Sequence, residues 1–519
     1  MKSFYYVTFF IVLFSSCTQS TKKESENFYK NPVIAGDIPD PSIIRVENDY
    51  YAVGTSCDFA PNYPIYHSTD LVNWTRISSV FSEPPAWTSD DFWAPEISYR
   101  NGTFYVYYTT KHRDNRIACI GVATTTDIRK GFTDHGIIIE WGEEAIDAFV
   151  FQDDDGKLYI TWKAYGLTEG RDIEILASEL SADGLSLVGE HFTLTDFSTG
   201  WKGAGDEGEC IVKRNGYYYM FYSVGGCCDN RCDYRVKVAR SKNLRSGWEQ
   251  FADPILQGSE TWKCTGHGTL VSTPDNRDFY LYHSYNATDF EFMGRQGMLD
   301  ELFWDKTTGW PYFKNGMPSD SARMPFANTR QNRDSIWFDD FSIQTNLAFF
   351  EWDVLVPKPN TEIKDGLLNI TSNHKGISFL GLRPKDGDYI LTSEVISANH
   401  GGIGIYSNQN TSLSLTIEKS ELFLTKVING EKEILSKEKI TENESVYLKI
   451  EASKGRYFHF FWSENGEDWI PVKAADDFQI DGSYLAQWGF SPRVGFILNG
   501  EEGSSSSYSE LKIEYKHFK

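Results

Sequence analysis

Apolar positions along this chain alternate with polar ones at the spacing of strands rather than helices. Successive side chains of a strand point to opposite faces, so a period of two marks a sheet, whereas recurrence every three to four residues marks a helix. The helical period is weak throughout, and one unit recurs instead: a turn carrying Asn, Asp or Gly, then a run of aromatic and β-branched residues. The unit is read at Glu47–Val53, Asn101–Tyr108, Asp155–Trp162, Asn215–Tyr222 and Asn276–His283. Three of the five open with Asn-Gly or Asp-Gly, pairs that adopt the left-handed backbone of a tight hairpin. The aligned tyrosines Tyr51, Tyr105, Tyr159, Tyr219 and Tyr280 stand 54, 54, 60 and 61 residues apart, a period that signals a repeat architecture. Each unit has a second half of strand character, such as Ile65–Trp74 and Val236–Trp248, and so has room for four short strands. Four-stranded units set radially make a propeller, so residues 28–327 are predicted to form five blades. Near residue 325 the period stops. Asn328–Ser335 reads as a polar linker, and strands resume with shorter alternation at Tyr447–Ala452 and Tyr457–Trp462. Residues 336–519 are predicted to be a two-sheet β-sandwich, which makes the fold class all-β.

The first residues follow a different pattern. Met1 and Lys2 precede an apolar run from Phe4 to Phe14 and then Ser15, Ser16 and Cys17, the order of a secretion signal. The run is too short to span a membrane as a helix. Its end resembles a bacterial lipoprotein signal, so residues 1–17 are expected to be removed or lipidated at Cys17, with 18–27 as a polar tether. The expected location is exported and lipid-anchored in a bacterial cell envelope, the anchor being the only membrane contact.

Charge and composition narrow the partners. With 50 Lys and Arg against 73 Asp and Glu the formal charge is −23, which repels phosphate backbones and argues against nucleic acid. Aromatic residues number 79 of 519 (35 Phe, 29 Tyr, 15 Trp), a surplus that suits strands and also suits stacking on the C–H faces of sugars. Seven cysteines follow Cys17, and Cys227, Cys228 and Cys232 cluster without the histidine or second cysteine pair of a zinc site. A local disulfide or buried thiols are the favoured reading.

Three acids stand at corresponding places near the starts of separate units: Asp40 in Ile38–Ser42, Asp147 in Ile146–Val150 and Glu207 in Gly205–Glu209. An acid among apolar, Pro and Gly residues is costly to bury unless it is paired or used. Ile38–Ser42, Trp93–Glu96, Ile146–Ala148 before Asp153–Gly156, Glu207-Gly208 before Lys213–Gly216, Gly266–Gly268 and Gly294–Gln296 together resemble the signatures of glycoside hydrolase family 43, in the family's order from about Asn31 to Phe313. The resemblance implies a five-bladed propeller, in agreement with the repeat count, and an inverting, exo-acting glycosidase of plant polysaccharides or oligosaccharides. It points first to an α-L-arabinofuranosidase, with β-xylosidase or β-galactofuranosidase as alternatives, and the C-terminal segment resembles the concanavalin-like sandwich that many members append. A carbohydrate-binding propeller without catalysis is the contrasting reading.

Inversion needs an ionised carboxylate to activate water and a protonated one to assist the leaving oxygen, roughly 6.5–9.5 Å apart. The matched motifs assign Asp40 as general base, Glu207 as general acid and Asp147 as the neighbour that raises the pKa of Glu207 by like-charge repulsion and orients it. Glu209 departs from the family's usual Glu-Gly-Pro and is expected to face the same way as Glu207, as a second pKa modulator or a substrate contact. Trp93 is the candidate for stacking on the sugar, and Arg295 for contacting its hydroxyls or steadying the acids. The resemblance places His267 on the central axis, beside a structural calcium ion, while the chemistry itself requires no cofactor. Asp37 reads as a turn residue, and Trp201 and Trp262 carry no assignment. The stretches Cys57–Pro64 and Val224–Tyr234 fall outside the repeat and are expected to shape the pocket.

Overall fold

The computed structural model describes Met1 and residues 27–517, apart from 168, 170–172, 196–205, 230, 289, 343, 441–444 and 475–476. The leader and nearly all of the tether lie outside the described residues, as does Trp201. Twenty strands form five antiparallel four-stranded sheets. Their innermost strands are Ser42–Val46, Trp93–Arg100, Glu144–Gln152, Glu207–Arg214 and Trp262–Ser272. Each packs on the innermost strands of the two sheets flanking it, and the fifth returns to the first, so the ring is closed. The five repeat tyrosines all fall on the second strand of their blades. A blade is covered on both faces by its neighbours. This is why the middle strands Leu158–Tyr165 and Tyr217–Val224 are buried almost throughout and read as continuous apolar runs rather than strict alternation.

The residues ahead of the first blade are stitched to the fifth. Phe28–Lys30 pairs with Ser321–Arg323. The Asn31 side chain brackets Leu299, donating from Nδ2 to its carbonyl and accepting from its amide, both at 3.0 Å. This closure seats the turn that carries Asp40 against the fifth blade, where the Ile38 amide donates to the Arg295 carbonyl at 2.8 Å and the Asp40 amide to His283 Nδ1 at 3.0 Å.

The second half is a β-sandwich whose two sheets share one long strand. In Tyr389–Asn408 the first ten residues pair with Ser505–Tyr515 and Val446–Ser453, and the last eight with Arg493–Gly500 and Thr411–Glu418. Leu391, Ile403, Leu413, Leu448, Phe496 and Leu511 fill the space between the sheets and are fully buried. The polar linker is fastened rather than loose: Asn73 of the first blade donates to the Arg330 carbonyl and accepts from the Asn332 amide.

A buried charge cluster joins the two domains. Glu351 receives Arg493 Nε at 2.8 Å on one oxygen, and Arg383 Nε at 2.7 Å and Arg76 Nη1 at 3.1 Å on the other. Arg493 also reaches Asp37 Oδ2 at 3.2 Å, and Arg383 donates to the Asp37 carbonyl. Burial raises the pKa of Glu351, but the three guanidiniums outweigh it and bring it down to about 2. Asp37, expected as a turn residue, is instead an interdomain anchor: its Oδ1 accepts the Arg295 amide and its Oδ2 the Ser491 amide, both at 3.1 Å.

Candidate active site

At one place in every blade the backbone turns left-handed: Asp40 (φ 51°), Ala94 (30°), Asp147 (59°), Gly208 (61°) and His267 (41°). These residues stand 11, 11, 12, 11 and 13 positions ahead of the repeat tyrosine, so they are one position of the repeat. In blades two to five the strand pairing slips there, between Trp93 and Glu96, Ile146 and Phe149, Glu207 and Cys210, and on both sides of Gly266. A bulge re-aims a side chain that a regular strand would direct elsewhere. Gly208 has a further reason to be glycine, because a Cβ there would lie 2.7 Å from Cγ of His267. The result is a cavity of about 430 Å³ into which Asp40, Asp147, Glu207, His267, Arg295 and Trp93 converge. Every predicted site residue except Glu209 lines it.

Asp40 sits in a fixed set of cationic and hydrogen-bonding partners. Thr55 Oγ1 donates to its Oδ2 at 2.7 Å, Arg295 Nη1 to its Oδ1 at 2.9 Å, and Nδ1 of His283 and of His267 lie 3.3 and 3.4 Å from Oδ1. Burial favours the neutral acid, but Arg295, then His267 and His283, outweigh it and hold the carboxyl far below the ordinary aspartate range. Thr55 also receives the Ala94 amide at 2.7 Å, which ties the first blade to the second beneath Asp40. Arg295 is shared across domains, since its Nη2 donates at 3.0 Å to the carbonyl of Gly489 in the sandwich.

Glu207 has different company. Lys163 Nζ lies 2.6 Å from its Oε2, and the Tyr234 hydroxyl donates to its Oε1 at 2.7 Å. Burial raises its pKa, yet Lys163 and Tyr234 lower it further, so the net direction is down. This corrects the expectation that Asp147 lifts Glu207. The lift falls on Asp147, raised to about 7 by burial and the nearby Glu207 charge against the opposing pull of His267 and Lys163. Glu209 is buried, with Oε2 3.4 Å from Thr161 Oγ1, and burial with the Asp147 charge keeps its pKa well above the glutamate norm. It is not among the residues that line the cavity.

Trp93 meets Trp488 of the sandwich edge to face, centroids 6.2 Å apart, and Trp488 is 60% exposed at the mouth. Trp262 is buried, and its Nε1 donates to Asp320, a structural role. His267 stands in no group of three carboxylate, imidazole or thiolate atoms close enough for one ion among the described residues. Calcium takes six to eight oxygen ligands. A calcium ion beside His267 would therefore take most of its oxygen ligands from water or backbone carbonyls, and His267 itself faces Asp40.

Sequence reasoning missed Lys163, Thr55, His283 and Trp488, and it reached Tyr234 only as the end of the stretch Val224–Tyr234; of the two stretches outside the repeat, that one lines the cavity and Cys57–Pro64 does not. Lys163 left one trace, a cation inside an otherwise apolar strand. The expected local disulfide is Cys227–Cys228, whereas Cys232 is bonded across to Cys264 of the next blade, and Cys57, Cys119 and Cys210 are free and buried.

A closed five-bladed ring with paired and unpaired acids converging on one end of its channel is the frame of a propeller glycoside hydrolase. Residues 29–311 match the model for glycosyl hydrolases family 43, and residues 389–497 match the beta xylosidase C-terminal concanavalin A-like domain. The chain belongs to glycoside hydrolase family 43. It is 29% identical over 318 residues to the xylan 1,3-beta-xylosidase of a Vibrio species, covering 55% of this chain and 57% of that one. It is 25% identical to the beta-xylosidase of Bacillus subtilis strain 168, covering 94% and 98%. To a non-reducing end alpha-L-arabinofuranosidase of Bacteroides ovatus it is 25% identical, covering 69% of each. The match therefore spans little more than half the length of the Vibrio enzyme. The GH43 BlXynB protein from Bacillus licheniformis has the same fold, with a TM-score of 0.81 at 24% identity over 94% of this chain and all of that one.

Proposed function

We propose that the protein is an inverting, exo-acting glycosidase that removes a terminal pentose from plant oligo- or polysaccharide. Asp40 is the general base, Glu207 the general acid and Asp147 the group that shares the acid's proton. The observation that carries this reading is the convergence of Asp40, Asp147 and Glu207 from three blades on one cavity, with Arg295 paired to Asp40 and Lys163 to Glu207. In the reaction Asp40 takes a proton from water as its oxygen bonds to the anomeric carbon. Glu207 gives a proton to the glycosidic oxygen as that bond breaks, and the sugar leaves with inverted configuration. In the free enzyme burial and the Glu207 charge favour the proton on Asp147, while Lys163 favours the ionised form of Glu207. Approach of the leaving oxygen draws the proton onto Glu207, and Lys163 then faces the developing charge. Each transfer contributes about 10²- to 10⁴-fold.

Exo action is supported by Trp488 and Gly489 of the second domain, which form part of the cavity wall. For the sugar we place β-xylose ahead of α-L-arabinofuranose, reversing the order taken from the motifs. The Bacillus subtilis beta-xylosidase matches nearly the whole chain, and the sandwich matches a domain named for beta xylosidases. Proton NMR of xylobiose hydrolysis tests both claims: the α-anomer of xylose appears first. Appearance of the β-anomer refutes the base and acid roles, and inertness toward xylobiose beside hydrolysis of arabino-oligosaccharide restores the first order. We also propose export with a lipid anchor at Cys17, supported by the leader pattern and by two disulfides, which persist in oxidising compartments. Labelling with a palmitate analogue should be lost in Cys17→Ser.

A further inference from the structure

The excursion between the second and third strands of blade four is rooted at both ends on Glu207. At its start, Ser223 is the cross-strand partner of Glu207, two residues before Gly225. At its end, Tyr234 donates to Glu207. Its neck is pinned closed, because Asp233 Oδ1 accepts the Gly226 amide at 2.9 Å and the Asp233 amide donates to the Gly226 carbonyl at 3.1 Å. A Cβ on Gly225 would lie 2.6 Å from that same carboxylate, so the neck requires glycine. Cys232 is bonded to Cys264 on the innermost strand of blade five, three residues before His267. The apex is held as well, since the Cys228 carbonyl accepts the Gly489 amide of the sandwich at 3.1 Å. The frame lines the cavity with charged Asp229, Arg231 and Asp233 and, as its apolar part, with the disulfide between adjacent Cys227 and Cys228.

An acid catalyst stands beside the leaving oxygen, so a surface built onto both flanks of the acid lies where the leaving group goes. We propose that the Cys227–Cys228 disulfide is a wall of the subsite for the leaving group, and that it selects a sugar ring there. The inference rests on Glu207 as the acid. Two bonded sulfurs are apolar and polarizable and carry no hydrogen-bond donor. They suit the C–H face of a pyranose and leave its hydroxyls turned toward water. The braced frame gives that surface one position, so no ordering cost falls on binding.

The test compares xylobiose with 4-nitrophenyl β-xyloside, which share the sugar that is cleaved and differ in the group that leaves. Cys227→Ser with Cys228→Ser keeps the Cys232–Cys264 bond. It should lower kcat/KM for xylobiose about tenfold more than for the aryl xyloside, the size of one lost pocket contact. Equal losses, or none, overturn the proposal. If the double variant does not fold, wild-type enzyme titrated with dithiothreitol is read on the same ratio, with peptide mapping to show which pair has opened. Opening of the adjacent pair without a fall in the xylobiose-to-aryl ratio also overturns it, as does alkylation of both cysteines in the unreduced protein. The acid assignment is tested separately by Glu207→Gln. Equal damage to activated and unactivated leaving groups refutes that assignment, while the serine ratio still reports on the wall.

Discussion

Asp40 and Glu207 are both carboxylates at blade starts, both shielded from water, and both lowered in pKa by a cation, yet they are arranged for opposite tasks. Asp40 has its charge compensated by a guanidinium anchored in two domains and by a threonine hydroxyl, with Nδ1 of His267 3.4 Å away and Nδ1 of His283 engaged by the Asp40 amide. Glu207 has one strong cation, Lys163, and lies close enough to a second carboxyl, Asp147, for its charge to raise the pKa there. Solitary and crowded acids thus arise from one repeated backbone position and its neighbour, and the difference lies in what adjoining blades and the sandwich bring to each.

The largest break in this comparison is Asp40→Asn. Steady-state assays should show kcat/KM down by about 10⁴-fold on every substrate, because no leaving group replaces a missing base. Glu207→Gln comes next, about 10³-fold down on xylobiose but tenfold or less on a dinitrophenyl glycoside, whose departure needs no proton. Asp147→Asn leaves Glu207 alone with Lys163 and strips away both the shared proton and the repulsion that retains it. Activity at pH 7 should fall about 100-fold and recover in part toward pH 5.

The pH profile sharpens the same contrast. The pair keeps its last proton up to about pH 7, so kcat/KM of the wild type should decline above that value. Asp40 stays charged on the acid side, so no limb from the base should appear until well below the ordinary aspartate range. Removing the lysine in Lys163→Met should carry the upper limb to higher pH, opposite in sign to Asp147→Asn. An unmoved limb in both variants would show that the pair does not set it.

The smallest effect on activity is expected far from the sugar. Glu351 is depressed to about 2 from an unfolded value near 4.3, so its contribution to stability is complete above that unfolded value and fades as pH falls toward 2. Glu351→Gln should cost about 3–5 kcal/mol of stability, because it leaves three guanidiniums buried around a neutral amide. Its thermal melting should lose much of the wild type's sensitivity between pH 4.5 and 2, while kcat moves only a few-fold through Asp37 and Arg295.

The propeller was legible because its period is written in aromatic residues: Tyr51 to Tyr280 mark each second strand, and the turn ahead of each is local chemistry. The acids were legible for the same reason, being tied to the start of a repeat. What could not be read is what converges from elsewhere. Tyr234 touches Glu207 only because a pinned excursion returns it there, and Lys163 only because strands of blades three and four lie side by side. Trp488 and Gly489 belong to another domain. Asp37 looked like its neighbours in a Pro-rich turn, and only the packing of Arg493 against it shows the load it bears. The direction of the Glu207 shift depended on Lys163 and was misjudged without it.

The left-handed position repeated in all five blades has a consequence for redesign. It offers five sockets of one backbone shape around a common axis, of which Asp40, Asp147 and His267 fill three with ionisable groups. Gly208 is kept bare by the imidazole next to it, and Ala94 holds only a methyl group. Asparagine and aspartate enter this conformation with little backbone penalty. Position 94 therefore has the backbone shape of the positions that hold the acids, so that one occupant of the repeat can be varied while the ring is left untouched.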